Sequence, residues 1–271
     1  MSRSAVLSAP FFGRSDAAPL ADRRSACWRP GLAAVQDAPC HSEVFAPGGE
    51  ASGAAAALAL ALDNWRHTPH TEAVQAQEDL RSVLWVQTKE AIRLGGRPFR
   101  AGLPEPLRAR VIHVRAESCA DALFALEEGV RCREIAFVVG EFAGNPRALD
   151  FTVSRRLTLT AERHGVPLYL VRLDAQHDLS SARMRWDVIS APSQSSKWNA
   201  QAPGEPVWHA ELFRARGHPP GTWLLSERAA RLSACKPMLA DNDTQGEIKN
   251  AHWAAGLATG MGRAAPRSAV W

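Results

Sequence analysis

Residues 43–62 read Glu-Val-Phe-Ala-Pro-Gly-Gly-Glu-Ala-Ser-Gly-Ala-Ala-Ala-Ala-Leu-Ala-Leu-Ala-Leu. The pattern predicts a short strand, a Gly-rich loop and a helix. That is the layout of a phosphate-binding loop, in which main-chain N–H groups and a helix N-terminus hold an anion. Gly48 and Gly53 have the spacing of the two glycines in G-x-x-x-x-G-K-[ST]. The two residues that follow are Ala54 and Ala55. A working loop needs Lys there to reach the β/γ-phosphates and Ser or Thr to hold Mg²⁺. The frame is present and its chemistry is replaced.

Working outward from this stretch, apolar runs recur along the chain. They are Val83–Gln87, Val111–Val114, Ile135–Val139 and Val166–Val171. Their starts lie roughly 24 to 31 residues apart, about the span of a βαβ unit. Near-continuous apolar strands belong to parallel sheets buried on both faces. Between the second and third runs, Ser118 reads as an N-cap, with Leu123 and Leu126 facing inward and Gly129 near the helix end. Between the third and fourth, Leu149, Val153 and Leu157 repeat every four residues, and Gly165 is the stop. The segment Leu94–Pro106, rich in Gly, Pro and Arg, reads mostly as loop. Further on, Met184, Trp186 and Val188 alternate with Arg183, Arg185 and Asp187, the pattern of a half-exposed strand with a charged face. Val207–Arg216 and Thr222–Glu227 flank Gly217-His-Pro-Pro-Gly221, a hairpin pattern. The expectation is an α/β fold: a P-loop-type core with a mostly parallel sheet flanked by helices, and antiparallel strands added at one edge.

The core is expected over residues 41–232. Residues 1–40 read as a flexible N-terminal arm and 233–271 as a flexible C-terminal tail, because apolar periodicity is lost in both. Arg23 and Arg24 in the arm read as solvated. His67 and His70 stand three apart, but Pro69 breaks the helix that would align them on a metal, and no metal site is expected. The 271 residues carry a formal net charge of +4. Lysine occurs only at Lys89, Lys197, Lys236 and Lys249, so the positive charge is almost all arginine. The five cysteines, Cys27, Cys40, Cys119, Cys132 and Cys235, form no C-x-x-C pair. That argues against a disulfide framework or zinc ribbon and fits a reducing cytosol. The longest apolar run, Ala54–Leu62, is too short to span a bilayer, which needs roughly 20 residues. No signal peptide is read in Met1–Arg14, and the expected location is cytoplasmic.

Nucleotide hydrolysis in this layout needs an Asp at an apolar strand end and a carboxylate that positions water. Ile135–Val139 ends instead in Gly140-Glu141. Glu141 comes one position late, which turns a side chain to the opposite face unless the strand has ended. Val83–Val86 is followed by Gln87, Thr88 and Lys89, and Glu90 is the first carboxylate. No Ser lies in G-x-S-x-G. Asp150, Arg155, Arg156 and Glu162 lie on or beside one helix and read as a solvated face with local ion pairs. Cys119 sits at a helix start, a position that lowers a thiol pKa, but no catalytic His partner stands with it, and a small buried Cys is the simpler reading. His113 within an apolar strand reads as a satisfied core residue.

These segments together resemble the core of the bacterial RecA recombinase: Glu43-Val-Phe-Ala-Pro, the loop with Gly48 and Gly53, Val83–Gln87, Ala125-Leu-Glu-Glu-Gly and Ile135-Ala-Phe-Val-Val139. Among RecA-like proteins the chain is most similar to the ImuA family, SOS-mutagenesis accessory proteins also described as SulA-like. That similarity rests on Val83-Leu-Trp-Val, Gly96-Arg-Pro-Phe with Gly102-Leu, Ala122-Leu-Phe-Ala-Leu-Glu-Glu, Val138-Val-Gly-Glu141 and Leu149-Asp-Phe-Thr-Val-Ser-Arg-Arg-Leu157. It continues through Arg183-Met-Arg-Trp186, Ala191-Pro-Ser193 and Gly221-Thr-Trp-Leu-Leu225, and it spans about His41 to Leu232.

The resemblance implies three losses relative to RecA. Ala54 and Ala55 replace the Lys and Ser/Thr of the loop, Gly140 stands at the strand-end Asp position, and the water-positioning Glu falls near Lys89. It therefore implies a non-catalytic accessory protein in translesion DNA synthesis, without a cofactor. Its implied partners are ImuB (polymerase-like but without catalysis), an error-prone DNA polymerase and RecA. Arg155, Arg156, Arg183, Arg185, Arg214, Arg216 and Trp253 are candidates for a DNA or partner surface. Two other readings stay open, a SulA-like inhibitor of cell division and an active RecA-like DNA-dependent ATPase.

Overall fold

A computed structural model describes residues 41–67, 79–193, 199, 202–216, 220–228 and 231–237. Six strands, His41–Ala46 (β1), Ser82–Thr88 (β2), Val111–Ala116 (β3), Ile135–Ala143 (β4), Leu168–Leu173 (β5) and Met184–Ser190 (β6), run parallel. Val207–Ala215 (β7), Gly221–Arg228 (β8) and Arg231–Cys235 (β9) continue the sheet antiparallel. The order is β3-β2-β4-β5-β1-β6-β7-β8-β9, one sheet of nine strands. The architecture is α/β with a mostly parallel sheet and an antiparallel edge, consistent with a RecA-like core.

Helices cover both faces. Ser52–His67 (α1) lies on one, beside two short helices, Lys89–Gly95 (α2) and Glu105–Arg108 (α3). Cys119–Arg131 (α4) and Phe151–His164 (α5) lie on the other. Each boundary has a local cause. Ser118 and Asp121 form a reciprocal capping box at the start of α4. The Asp150 carboxylate accepts from Val153 N at 2.8 Å to start α5, and Gly165 at φ 69° closes it.

The two cores follow the strand alternation. Val44, Val83, Trp85, Phe137, Val139, Tyr169 and Val171 face α1, and Leu60 and Leu62 of that helix meet them. Leu84, Val86, Val138, Leu168 and Leu170 face the other way, onto Leu123, Leu126 and Leu157. Each fully buried Leu of this kind contributes on the order of 2 kcal/mol. Trp186, Trp208 and Trp223 carry the α1-side core out under the antiparallel strands, with Trp186 and Trp223 edge to face at 6.0 Å.

Residues 89–95 form a short helix that runs into the expected loop, because the Thr88 side chain accepts from Ala91 N and starts a turn directly at the end of β2. Gly129 lies near the C-terminal end of α4, as expected, and its missing side chain lets the helix lie against Leu84 and Val138. Two expectations need correction. The charged face of β6 is only partly open: Arg185 is buried and paired to Glu43 of the adjacent strand, while Asp187 keeps a partly exposed side chain. A ninth strand runs from Arg231 to Cys235, across the boundary expected at residue 232. Residues 1–40, with Cys27 and Cys40, the His70 position, Gly217–Pro219, and the segment from 238 with Trp253 lie outside the described residues.

Candidate functional site

The parallel strands end at one edge, where the loops after β1, β2, β4 and β5 gather. Ligands of open α/β sheets bind at such an edge. The loop after β1 spans Pro47–Ala51, and Ala55 N donates to Ala51 O at 3.0 Å as α1 begins. Gly48 N donates to the carboxylate Oδ1 of Asp174 at 2.8 Å. Asp174 follows β5, has φ 51°, and its own N–H donates to Ala46 O at 3.0 Å. A Cβ on Gly48 would stand 2.5 Å from Asp174 Oδ2 and 2.9 Å from Leu94 Cδ1, so a larger residue would push those side chains aside. Gly53 is buried against Ala46 and Val171.

Glu50 holds the other side of the loop. Its Oε1 accepts from Ser52 Oγ at 2.8 Å and from Ser190 N, at the end of β6, at 3.1 Å. Ala54 and Ala55 are half-buried and pack on the α1-side core. Two carboxylates thus lie against a loop that carries no cation. A polyphosphate at this loop would meet repulsion where a working loop offers a Lys.

Gly140 and Glu141 take opposite faces near the end of β4. A Cβ on Gly140 would come within 2.9 Å of Leu126 and 3.0 Å of Leu170, inside the core beneath α4. Glu141 faces the α1 side and is buried, since β4 continues to Ala143. Its Oε1 accepts from the Trp85 indole N–H at 2.5 Å. Burial pushes the Glu141 carboxyl up, with the Trp85 and Gln87 side chains pulling the other way. Gln87 extends the network: Nε2 donates to Gly96 O at 2.9 Å, and Oε1 lies 2.9 Å from His113 Nε2. His113 is half-buried, and burial and the Arg97 charge lower its pKa. Lys89 is exposed at the start of α2, 4.0 Å from Glu90.

On the opposite face of β1 lies a cluster that sequence reading missed. Glu43, buried, accepts from Arg185 Nε at 2.7 Å and from Ser180 Oγ at 2.8 Å, with Arg172 at 3.8 Å. Asp178 accepts from Arg172 at 3.0 Å and lies 3.6 Å from Arg185. The Arg185 guanidinium sits over the Phe45 and Phe213 rings at 5.0 and 5.2 Å, and His177 stacks on Phe213 at 4.0 Å. Charges inside all-buried strands were the available signal: Glu43 beside Val44 and Phe45, and Arg172 between Val171 and Leu173. Nearby His41 is buried with Nδ1 2.7 Å from Thr158 Oγ1, and desolvation pushes its imidazole down to about 4.

The arginines named from the sequence are not one patch. Arg156 pairs with Glu127 of α4 at 2.9 Å, and Arg183 with Glu162 of α5 at 2.5 Å. These pairs link neighbouring elements and are not local to one helix. Arg183, Arg214 and Arg216 meet where β6 begins and β7 ends: Arg216 N donates to Arg183 O at 2.9 Å, and Arg214 is in register with Arg185. Arg155 is exposed on α5, whereas Arg185 is buried and offers no surface. Burial raises the Cys119 thiol, the reverse of the lowering its helix-start position suggested.

Among the described residues no three or more His, Cys, Asp and Glu side chains are grouped to hold a metal ion. No described helix is long and apolar enough to cross a membrane.

No protein-family profile matches the chain. It is 33% identical over 159 residues to Protein ImuA of Caulobacter vibrioides strain NA1000 / CB15N, covering 55% of this chain and 62% of that protein. The same values hold for Protein ImuA of Caulobacter vibrioides strain ATCC 19089 / CIP 103742 / CB 15. The chain thus spans less than two thirds of the length of these curated relatives. A fold consistent with a RecA-like core accompanies this similarity to Protein ImuA.

Proposed function

We propose that this chain is a non-catalytic accessory protein in damage-induced mutagenesis, working by protein–protein contact with an ImuB-type partner and an error-prone DNA polymerase. The observation that carries the non-catalytic reading is the bond from Gly48 N to the Asp174 carboxylate. A side chain of the protein takes a main-chain donor that a phosphate-binding loop directs at its anion. Ala54 and Ala55 supply neither the charge nor the hydroxyl of such a loop, and Glu141 is buried against Trp85. The relatives' name, Protein ImuA, supports the place in mutagenesis.

Three measurements test the two halves separately. Titration with a fluorescent ATP analogue and Mg²⁺ is expected to show neither tight binding nor turnover; turnover would establish an active ATPase in its place. Deletion of the gene is expected to reduce damage-induced mutation; unchanged mutagenesis would remove the accessory role. Co-purification with ImuB and RecA, repeated after removal of residues 1–40 or 238–271, is expected to retain ImuB with the full chain. Binding to the division GTPase with none to ImuB would point to the cell-division reading.

A further inference from the structure

The segment between β2 and β3 carries cations that the fold does not neutralise. Arg93, Arg97, Arg100 and Arg108 are exposed, and none forms an ion pair among the described residues. Some exposed arginines elsewhere are paired, as Arg131 is with Glu127 and Glu128, while others, such as Arg155 and Arg163, stand without an ion pair among the described residues and without an exposed aromatic ring two residues away. Two of the four are held by the main chain: Arg100 Nε donates to Arg108 O at 3.1 Å, and Arg108 Nε donates to Leu103 O at 2.9 Å. Those bonds restrict the side chains while leaving their terminal amino groups without a partner among the described residues. Between Arg97 and Arg100 stands Phe99, 76% exposed, the most exposed aromatic side chain among the described residues. The core-facing places of this segment are already filled by Leu103 and Leu107.

We propose that this segment binds single-stranded nucleic acid, with the four arginines on phosphodiester groups and Phe99 stacked on an unpaired base. Guanidinium forks match phosphate oxygens. A flat ring held among cations is the second half of a single-strand surface, because every unpaired base offers a π-face. A duplex keeps its bases stacked inside and gives Phe99 nothing to cover. An acidic peptide would use the charges but has no need of the ring. The surface is separate from the arginines of α5, β6 and β7, and it does not rest on the accessory reading: purified chain and an oligonucleotide suffice to test it.

The test is fluorescence anisotropy of the full chain with a fluorescein-labelled oligothymidylate of about 16 nucleotides, titrated at several salt concentrations. Four phosphate contacts predict a slope of log K against log salt of about −3. Phe99→Ala is expected to weaken binding about tenfold with the slope unchanged. Phe99→Leu, which keeps apolar bulk without a flat ring, should weaken it similarly. The pair Arg97→Ala and Arg100→Ala should flatten the slope by about 1.4. Arg131→Ala, on α4, should change neither, and matching thermal melts would show that every variant is folded. The proposal is overturned if no binding occurs at low salt, or if folded Phe99 and arginine variants bind like the parent. It is also overturned if a duplex of equal length binds as tightly, or if polyglutamate at equal charge displaces the oligonucleotide, which would make the surface a dock for an acidic protein.

Discussion

The carboxylate of Asp174 lies 2.8 Å from the main-chain nitrogen of Gly48, and a Cβ on that glycine would collide with it at 2.5 Å. The loop after β1 is therefore shaped around a side chain of the protein. Asp174→Asn keeps an acceptor and tolerates φ 51°, so it should cost well under ~1 kcal/mol. Asp174→Ala loses the bond and the tolerance together and should cost about 2 kcal/mol. Gly48→Ala should be destabilising in the parent and much milder beside Asp174→Gly, which removes the clash. Urea denaturation of the four proteins of that cycle gives the coupling; simple additivity would contradict the arrangement.

Gly140 stands where the resemblance to RecA implies a strand-end aspartate. Its missing side chain makes room for Leu126 and Leu170. Gly140→Asp would place a carboxylate in that core, and the combination of crowding and desolvation should cost more than about 3 kcal/mol. A folded Gly140→Asp protein that also binds Mg²⁺–ATP would show that the position still faces the loop.

Glu141 makes a pH-dependent prediction. Burial raises its carboxyl above the ordinary 4.5, so the folded state holds the proton more tightly than the unfolded chain. Its contribution is most favourable below 4.5 and is lost as pH rises through the raised value. Glu141→Gln keeps an acceptor for the Trp85 indole and removes the charge. The variant should match the parent at acid pH and exceed it in stability at pH above neutrality. Denaturation midpoints across pH read this difference directly, and a variant less stable at alkaline pH would refute it.

The Glu43–Arg185 pair, 2.7 Å apart and buried, should behave as a unit. Arg185→Met leaves the buried Glu43 carboxylate with the Ser180 hydroxyl at 2.8 Å and, as its nearest remaining cation, Arg172 at 3.8 Å, and should cost about 3–5 kcal/mol. Glu43→Gln together with Arg185→Met should cost clearly less than the sum of the single changes. Equilibrium unfolding of the cycle decides, and additive losses would mean the two groups act independently.

Apolar runs at βαβ spacing, Ser118 and Gly165 at helix ends, and Ala54 with Ala55 were enough to place the parallel core and to mark the loop as altered. These properties are local: strand alternation, capping and the presence or absence of a charge depend on residues close in the chain. What Gly140, Glu141 and Arg185 do was not legible in this way. Gly140 and Glu141 are adjacent, yet one meets Leu126 across a helix and the other Trp85 across a strand. Arg185 reads as an exposed charge until β1 and β6 pair and bring Glu43 beside it. Asp174, which occupies the loop's donor, stands far along the chain from Gly48. Sequence by itself determined the layered α/β frame and the missing lysine charge. Only the tertiary structure decided which side chain fills the loop, because hydrogen bonding and desolvation depend on neighbours that folding, and not chain order, brings together.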